Sequence, residues 1–115
     1  MPSPPLVPDD GPIDFEHLQR KTLGDSGLEH EVLAMFSAQS VNLISVLASL
    51  PKDACALAHM LKGSARAIGA LGVADAAARL EIALIAGADP SLQLAELGDA
   101  VALVRAAIDA VLLRS

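Results

Sequence analysis

The sequence predicts an all-α fold, an antiparallel up-and-down four-helix bundle with an additional short helix at its N-terminal end. Three observations carry that prediction. The 115 residues suffice for one domain core and fall short of two. The chain is 53% hydrophobic but only 2% aromatic, with neither Trp nor Tyr, so its core has to be assembled from Ala, Leu, Val and Ile between closely packed helices. Apolar residues also recur at steps of three and four in four successive segments bounded by Gly, Pro, Ser or Asp.

Residues 1–12 hold Pro2, Pro4, Pro5, Pro8 and Pro12 with Asp9, Asp10 and Gly11, a mixture poor in helix donors and core side chains, and read as a flexible Pro-rich tail. The domain then occupies 13–115. Ile13, Phe15, Leu18 and Leu23 suit a short amphipathic helix over one end of the bundle. Ser26-Gly-Leu-Glu29 has the form of a capping box, and the helix it opens carries Leu28, Val32, Met35, Phe36, Leu43, Val46, Leu47 and Leu50 as one stripe until Pro51 closes it. Pro51 and Asp53 suit the first turn of the next helix, expected to run to about Ile68. Gly69 and Gly72 bracket the following turn, where positive φ is expected. The next helix presents Val73, Ala77, Leu80 and Leu84, and Gly87 ends it. Asp89-Pro90 caps and presets the last helix, whose Leu97, Val101, Val104, Ile108 and Val111 alternate steps of four and three.

Eight basic against fourteen acidic residues give a formal charge of −6, which opposes binding to a phosphate backbone, so nucleic acid is not expected as a partner. Cys55, alone, excludes an internal disulfide and a cysteine zinc site, and fits a reducing cytoplasm. The N-terminus lacks the basic start and apolar core of a secretory signal. No run of about 20 apolar residues escapes polar interruption, and a soluble protein without a membrane partner is the expectation.

The helix over 52–68 carries the chemistry. Ala54, Leu57, Ala58, Leu61, Ala65 and Ile68 form its apolar stripe. Steps of three and four from His59 reach Cys55 and Lys52 upstream and Lys62, Gly63 and Arg66 downstream, a basic face on an acidic protein. A cation one turn from an imidazole opposes a bound metal and suits a phosphate. Neutral imidazole is a nucleophile at neutral pH, and the roughly −1.5 to −2 charge of a phosphoryl group needs a counter-ion such as Lys62. Gly63 costs about 1 kcal/mol relative to Ala inside a helix; either it clears the surface for another protein or it lets a neighbouring helix pack closely.

The run His59-Met-Leu-Lys62-Gly63-Ser64-Ala65-Arg-Ala-Ile68-Gly69-Ala70, with the later Leu80-Glu81 pair, closely resembles the pattern of histidine-containing phosphotransfer (HPt) domains over about residues 13–113. The resemblance implies that His59 carries a phosphoryl group in a multistep phosphorelay, taken from the phosphoaspartate of one receiver domain and given to another. By the same resemblance Lys62 supports the phosphate, Gly63 clears the receiver's path and Glu81 bonds the inner nitrogen of the imidazole. A carboxylate in that place fixes the tautomer and makes the opposite nitrogen the better nucleophile. An ordinary solvated glutamate, or a surface partner for Lys62, is the plainer reading of Glu81. Arg66 either extends the positive docking surface or is a solubilising charge.

The implied partners are response-regulator receiver domains and a hybrid sensor kinase, with Mg2+ on the receiver and no cofactor on this chain. Without a Gly-rich segment able to cradle ATP, the chain reads as a phosphocarrier and not as an enzyme. The Pro-rich start and finished last helix suggest a free-standing protein, and one complete core makes a monomer the simpler expectation. A Cys55-His59 dyad lacks an oxyanion hole, and His17 and His30 lack metal-ligand spacing. The alternative function is a helical module that binds receivers or kinases without phosphotransfer.

Overall fold

The computed structural model describes residues 11–114, and among these the chain forms five helices and no strand. They are α1 (Phe15–Lys21), α2 (Ser26–Ala48), α3 (Ala54–Ile68), α4 (Leu71–Ile85) and α5 (Ser91–Arg114). Helix α2 packs on α3 and α5, and α4 packs on α3 and α5, so the four longer helices close a ring of neighbours; α1 packs on α3. The tail expected over 1–12 lies outside the described residues except for Gly11 and Pro12, both exposed.

In α1 the expectation holds for Ile13 and Leu18, both buried, and fails for Phe15 and Leu23. The helix stops at Lys21, and Leu23 follows with φ 55 and its side chain in solvent. The start of α1 is tied to the end of α3, because the Asp14 N–H donates to the Gly69 carbonyl at 2.8 Å.

Helix α2 begins one residue earlier in its capping logic than Ser26 suggested. Asp25 is the N-cap, its carboxylate accepting from the Leu28 N–H at 3.1 Å, and Ser26 is already helical. The buried stripe is Leu33, Phe36, Ser40, Leu43 and Leu47. Leu28, Met35, Val46 and Leu50 are exposed instead, because this helix is apolar nearly all round and periodicity alone does not say which flank faces inward. Buried Ser40 satisfies its hydroxyl on the Ser37 carbonyl at 3.0 Å. By length and mean hydropathy α2 also meets the requirement of a membrane-crossing helix, while Ser37, Gln39, Ser40, Asn42 and Ser45 interrupt its apolar run as expected. Its buried residues belong to the bundle core.

Pro51 and Asp53 precede α3 and are not in its first turn: the Ala54 N–H donates to the Pro51 carbonyl at 3.0 Å, and Asp53 is an N-cap without a side-chain bond. The α3–α4 turn is minimal. Gly69 takes φ 84, its N–H donating to the Arg66 carbonyl and that of Ala70 to the Ala65 carbonyl, which is a Schellman closure. A Cβ at Gly69 would stand 2.7 Å from the Asp14 carbonyl oxygen, so this position needs Gly for both conformation and space. Gly72, expected to share the turn, is inside α4 without positive φ. Gly87, with φ 71, closes α4 in the same way. The Asp89 carboxylate accepts from the Ser91 N–H at 3.0 Å and from its hydroxyl at 2.7 Å, which opens α5.

Candidate functional site

Helix α3 turns Ala54, Ala58, Leu61, Ala65 and Ile68 inward, as its periodicity predicted. The remaining arc then places the polar residues by simple rotation of about 100° per residue. The His59 side chain points outward and is 66% exposed. Lys62, three residues on, is turned toward α4, so its side chain is only 17% exposed. The sequence reading had put Lys62 on the open face beside His59; the 300° step between them instead puts it on the flank that α4 covers.

Glu81 projects from α4 between these two side chains and is itself 17% exposed. Its Oε2 lies 3.0 Å from His59 Nδ1, and its Oε1 accepts from Lys62 Nζ at 2.8 Å. Both readings of Glu81 made from the sequence are therefore realised at once, since one carboxylate bridges the imidazole and the ammonium. The hydrogen bond from Lys62 and, less strongly, that from His59 hold the Glu81 carboxyl below the usual carboxylate range, against the opposing effect of partial burial. An ionised carboxylate can only accept, so in the neutral ring the proton sits on Nδ1 and the lone pair on Nε2. No hydrogen bond engages Nε2 among the described residues.

Gly63 sits one turn beyond His59, exposed, and a Cβ built on it would meet no atom within 4 Å. Close packing of a neighbouring helix therefore does not account for this glycine. Arg66 is exposed one turn further on. Cys55 is half-buried, and Lys52 lies before the helix. His17 on α1 is half-buried with its Nε2 unpartnered among the described residues, and His30 lies on α2; neither joins His59. Among the described residues no group of three or more His, Cys, Asp or Glu is arranged to hold a metal ion.

A feature not legible from periodicity borders this face. Val32, Met35, Phe36 and Gln39 of α2 and Ser64, Ala67 and Ile68 of α3 line a shallow, mainly apolar groove. Met35, assigned to the core from its spacing, is 70% exposed on its rim.

The fold and site define a class: an all-helical protein presenting one open histidine, braced from behind by a carboxylate on the next helix. The chain belongs to the Hpt domain family, whose model matches residues 31–112, more than half of its length. Comparison with curated proteins and with solved structures gave no match. Hpt domains serve histidine phosphotransfer in two-component systems, as phosphocarriers and not as enzymes with an ATP site of their own.

Proposed function

We propose that this protein is the histidine phosphotransfer intermediate of a multistep phosphorelay, with His59 as its phosphoacceptor. The observation that carries the reading is the 3.0 Å contact between Glu81 and Nδ1 of a ring that is otherwise open to solvent. In the forward step the Nε2 lone pair attacks the phosphorus of an aspartyl phosphate on a receiver domain. The phosphorus–oxygen bond to the aspartate breaks, and its electron pair stays on the departing carboxylate. No proton leaves Nε2; the ring keeps Nδ1–H and shares the resulting positive charge with Glu81. The reverse sequence passes the group to a second receiver.

In this reading Glu81 orients the ring, Lys62 supplies counter-charge to the bound phosphoryl group, and Gly63 leaves room for the receiver's approach. Arg66 extends a positive rim toward an acidic partner, and the chain's overall formal charge of −6 disfavours nucleic acid. The receiver contributes the aspartate and its Mg2+, so the carrier needs no bound cofactor. We assign the domain to 13–115 with a Pro-rich tail before it, folded as an antiparallel up-and-down four-helix bundle with α1 as an accessory. It acts as a cytoplasmic monomer fed by a hybrid sensor kinase.

Incubation with a phosphorylated receiver tests this directly. Acid-labile phosphate should appear on the chain and be lost in His59→Gln, whose helical content should match wild type. Undiminished transfer to His59→Gln removes the assignment, and absence of transfer in either direction favours the binding module without phosphotransfer.

A further inference from the structure

A phosphoryl group on the outer nitrogen of His59 would bring roughly −1.5 to −2 of charge to the open side of α3. The cation nearest in sequence serves that side only from the flank, because Lys62 is mostly covered and its Nζ is held at 2.8 Å by Glu81 Oε1. Lys52 stands before the helix begins at Ala54, so no helical register carries it onto this face.

Arg66 differs on both counts. Seven residues after His59 it returns to within about 20° of the same line on the helix, about 10.5 Å further along the axis. It is exposed. Side chains on a helix lean toward its N-terminus, so that of Arg66 leans back toward the ring. The residue under its path is Gly63, where a Cβ would meet no atom within 4 Å. A longer side chain there would stand between guanidinium and imidazole, and the bare backbone leaves a trough from one to the other.

Nor is the guanidinium engaged elsewhere. Arg20 pairs with Glu16, and Arg79 with Asp75 and Glu96, but no ion pair or hydrogen bond holds the Arg66 side chain among the described residues. Helix α3 itself contains no carboxylate. At the end where α3 meets α1 and α4, Asp14 Oδ1 accepts from the His17 N–H and Asp75 is taken by Arg79. A place in the last turn of α3 suits a cation by the helix dipole, which accounts for the charge and not for the bare residue one turn before it.

We propose that Arg66 binds the phosphoryl group: once His59 carries it, the guanidinium swings back over Gly63 and donates hydrogen bonds to the phosphoryl oxygens, which its planar fork matches. This rests on His59 being the acceptor. It goes beyond a docking role, since the contact is made within this chain and needs no receiver.

The test therefore leaves the receiver out. Phosphoramidate labels the full chain directly: Nε2 attacks the phosphorus, the phosphorus–nitrogen bond breaks and ammonia leaves. In wild type the Arg66 Nε–H resonance should move on labelling, and it should stay in place in His59→Gln treated alike. Labelled Arg66→Gln should lose its phosphoryl group about two- to fivefold faster than wild type, the size an exposed ion pair gives, with Arg66→Lys between the two. Gly63→Leu, which blocks the path and keeps the cation, should shorten the lifetime as Arg66→Gln does. Circular dichroism of each unlabelled variant should match wild type, which separates a lost contact from a folding defect. An unmoved Arg66 resonance overturns the proposal, and so does an unchanged lifetime in Arg66→Gln; if transfer from a receiver still drops in that variant, Arg66 is a docking residue only. The two levels fail separately. Wild type that takes no label on His59 removes the acceptor and this contact with it, whereas a labelled His59 indifferent to Arg66 removes this inference alone.

Discussion

The α3–α4 pair and the α2–α5 pair sit side by side in one core and are built from different vocabularies. Helices α3 and α4 bury Ala54, Ala58, Ala65, Ala74, Ala76, Ala77 and Ala83 among their few larger residues. Helices α2 and α5 bury Leu33, Phe36, Leu43, Leu47, Leu97, Val101, Val104 and Ile108, and no alanine reaches the same burial there. Small side chains let backbones approach, which is how a glutamate on α4 spans to two side chains on α3 at 2.8 and 3.0 Å. Large side chains fill volume and remove apolar area from water. Across α2 and α5, Arg105 Nε donates to Ser37 Oγ at 3.2 Å in an exposed bond. One pair sets the geometry of the site and the other supplies the mass that holds it.

That division predicts opposite failures. Leu47→Ala, at a fully buried position of α2, should cost about 2–5 kcal/mol in chemical denaturation. Phosphoryl transfer per folded molecule should stay close to wild type, since α3 and α4 keep their contact. Ala77→Leu, at the fully buried face of α4, should cost less, about 1–3 kcal/mol of overpacking. Its transfer rate should nevertheless fall by more than the folded fraction does, as the wedge moves Glu81 from His59. Equal loss of transfer per folded molecule in both variants would break the comparison.

The smallest effect is one of pH. Glu81 titrates below its unfolded value of 4.5 in the folded chain, so its contribution to stability is complete above that value and is lost as pH falls through the lowered folded value. Thermal unfolding from neutral pH into acid should therefore fall less steeply in Glu81→Gln than in wild type. Asp89, lowered by the Ser91 hydroxyl and N–H, should contribute its own share of the acid slope in both proteins. Parallel slopes would place the acid sensitivity away from the α3–α4 seam.

Local chemistry was legible wherever the sequence has one dominant signal. The α3 stripe, the Gly69 and Gly87 closures and the Leu97-Val101-Val104-Ile108 seam are where spacing and turn residues put them, while α5 starts at Ser91, one residue later than Asp89-Pro90 suggested. Legibility failed in α2, where apolar residues on several flanks give no unique inward face, so Leu33 and Ser40 were missed and Met35 and Leu28 were turned inward in error. Asp25 displaced Ser26 as the cap because either side chain can accept a first-turn N–H, and one residue of register decides between them. At the site, His59 and the bare surface at Gly63 were read correctly from their helix, and Lys62 was placed on the wrong side of it.

The sequence by itself determined the helical class and the apolar stripe of α3. It also determined that an imidazole, an ammonium group and a bare glycine recur within one turn of each other on α3, because that follows from residue identity and the 3.6-residue turn. Only the tertiary structure decided that one carboxylate on α4 serves His59 and Lys62 together. That outcome depends on how closely two helices approach and how each is rotated, and both are settled by the whole set of buried side chains packing at once.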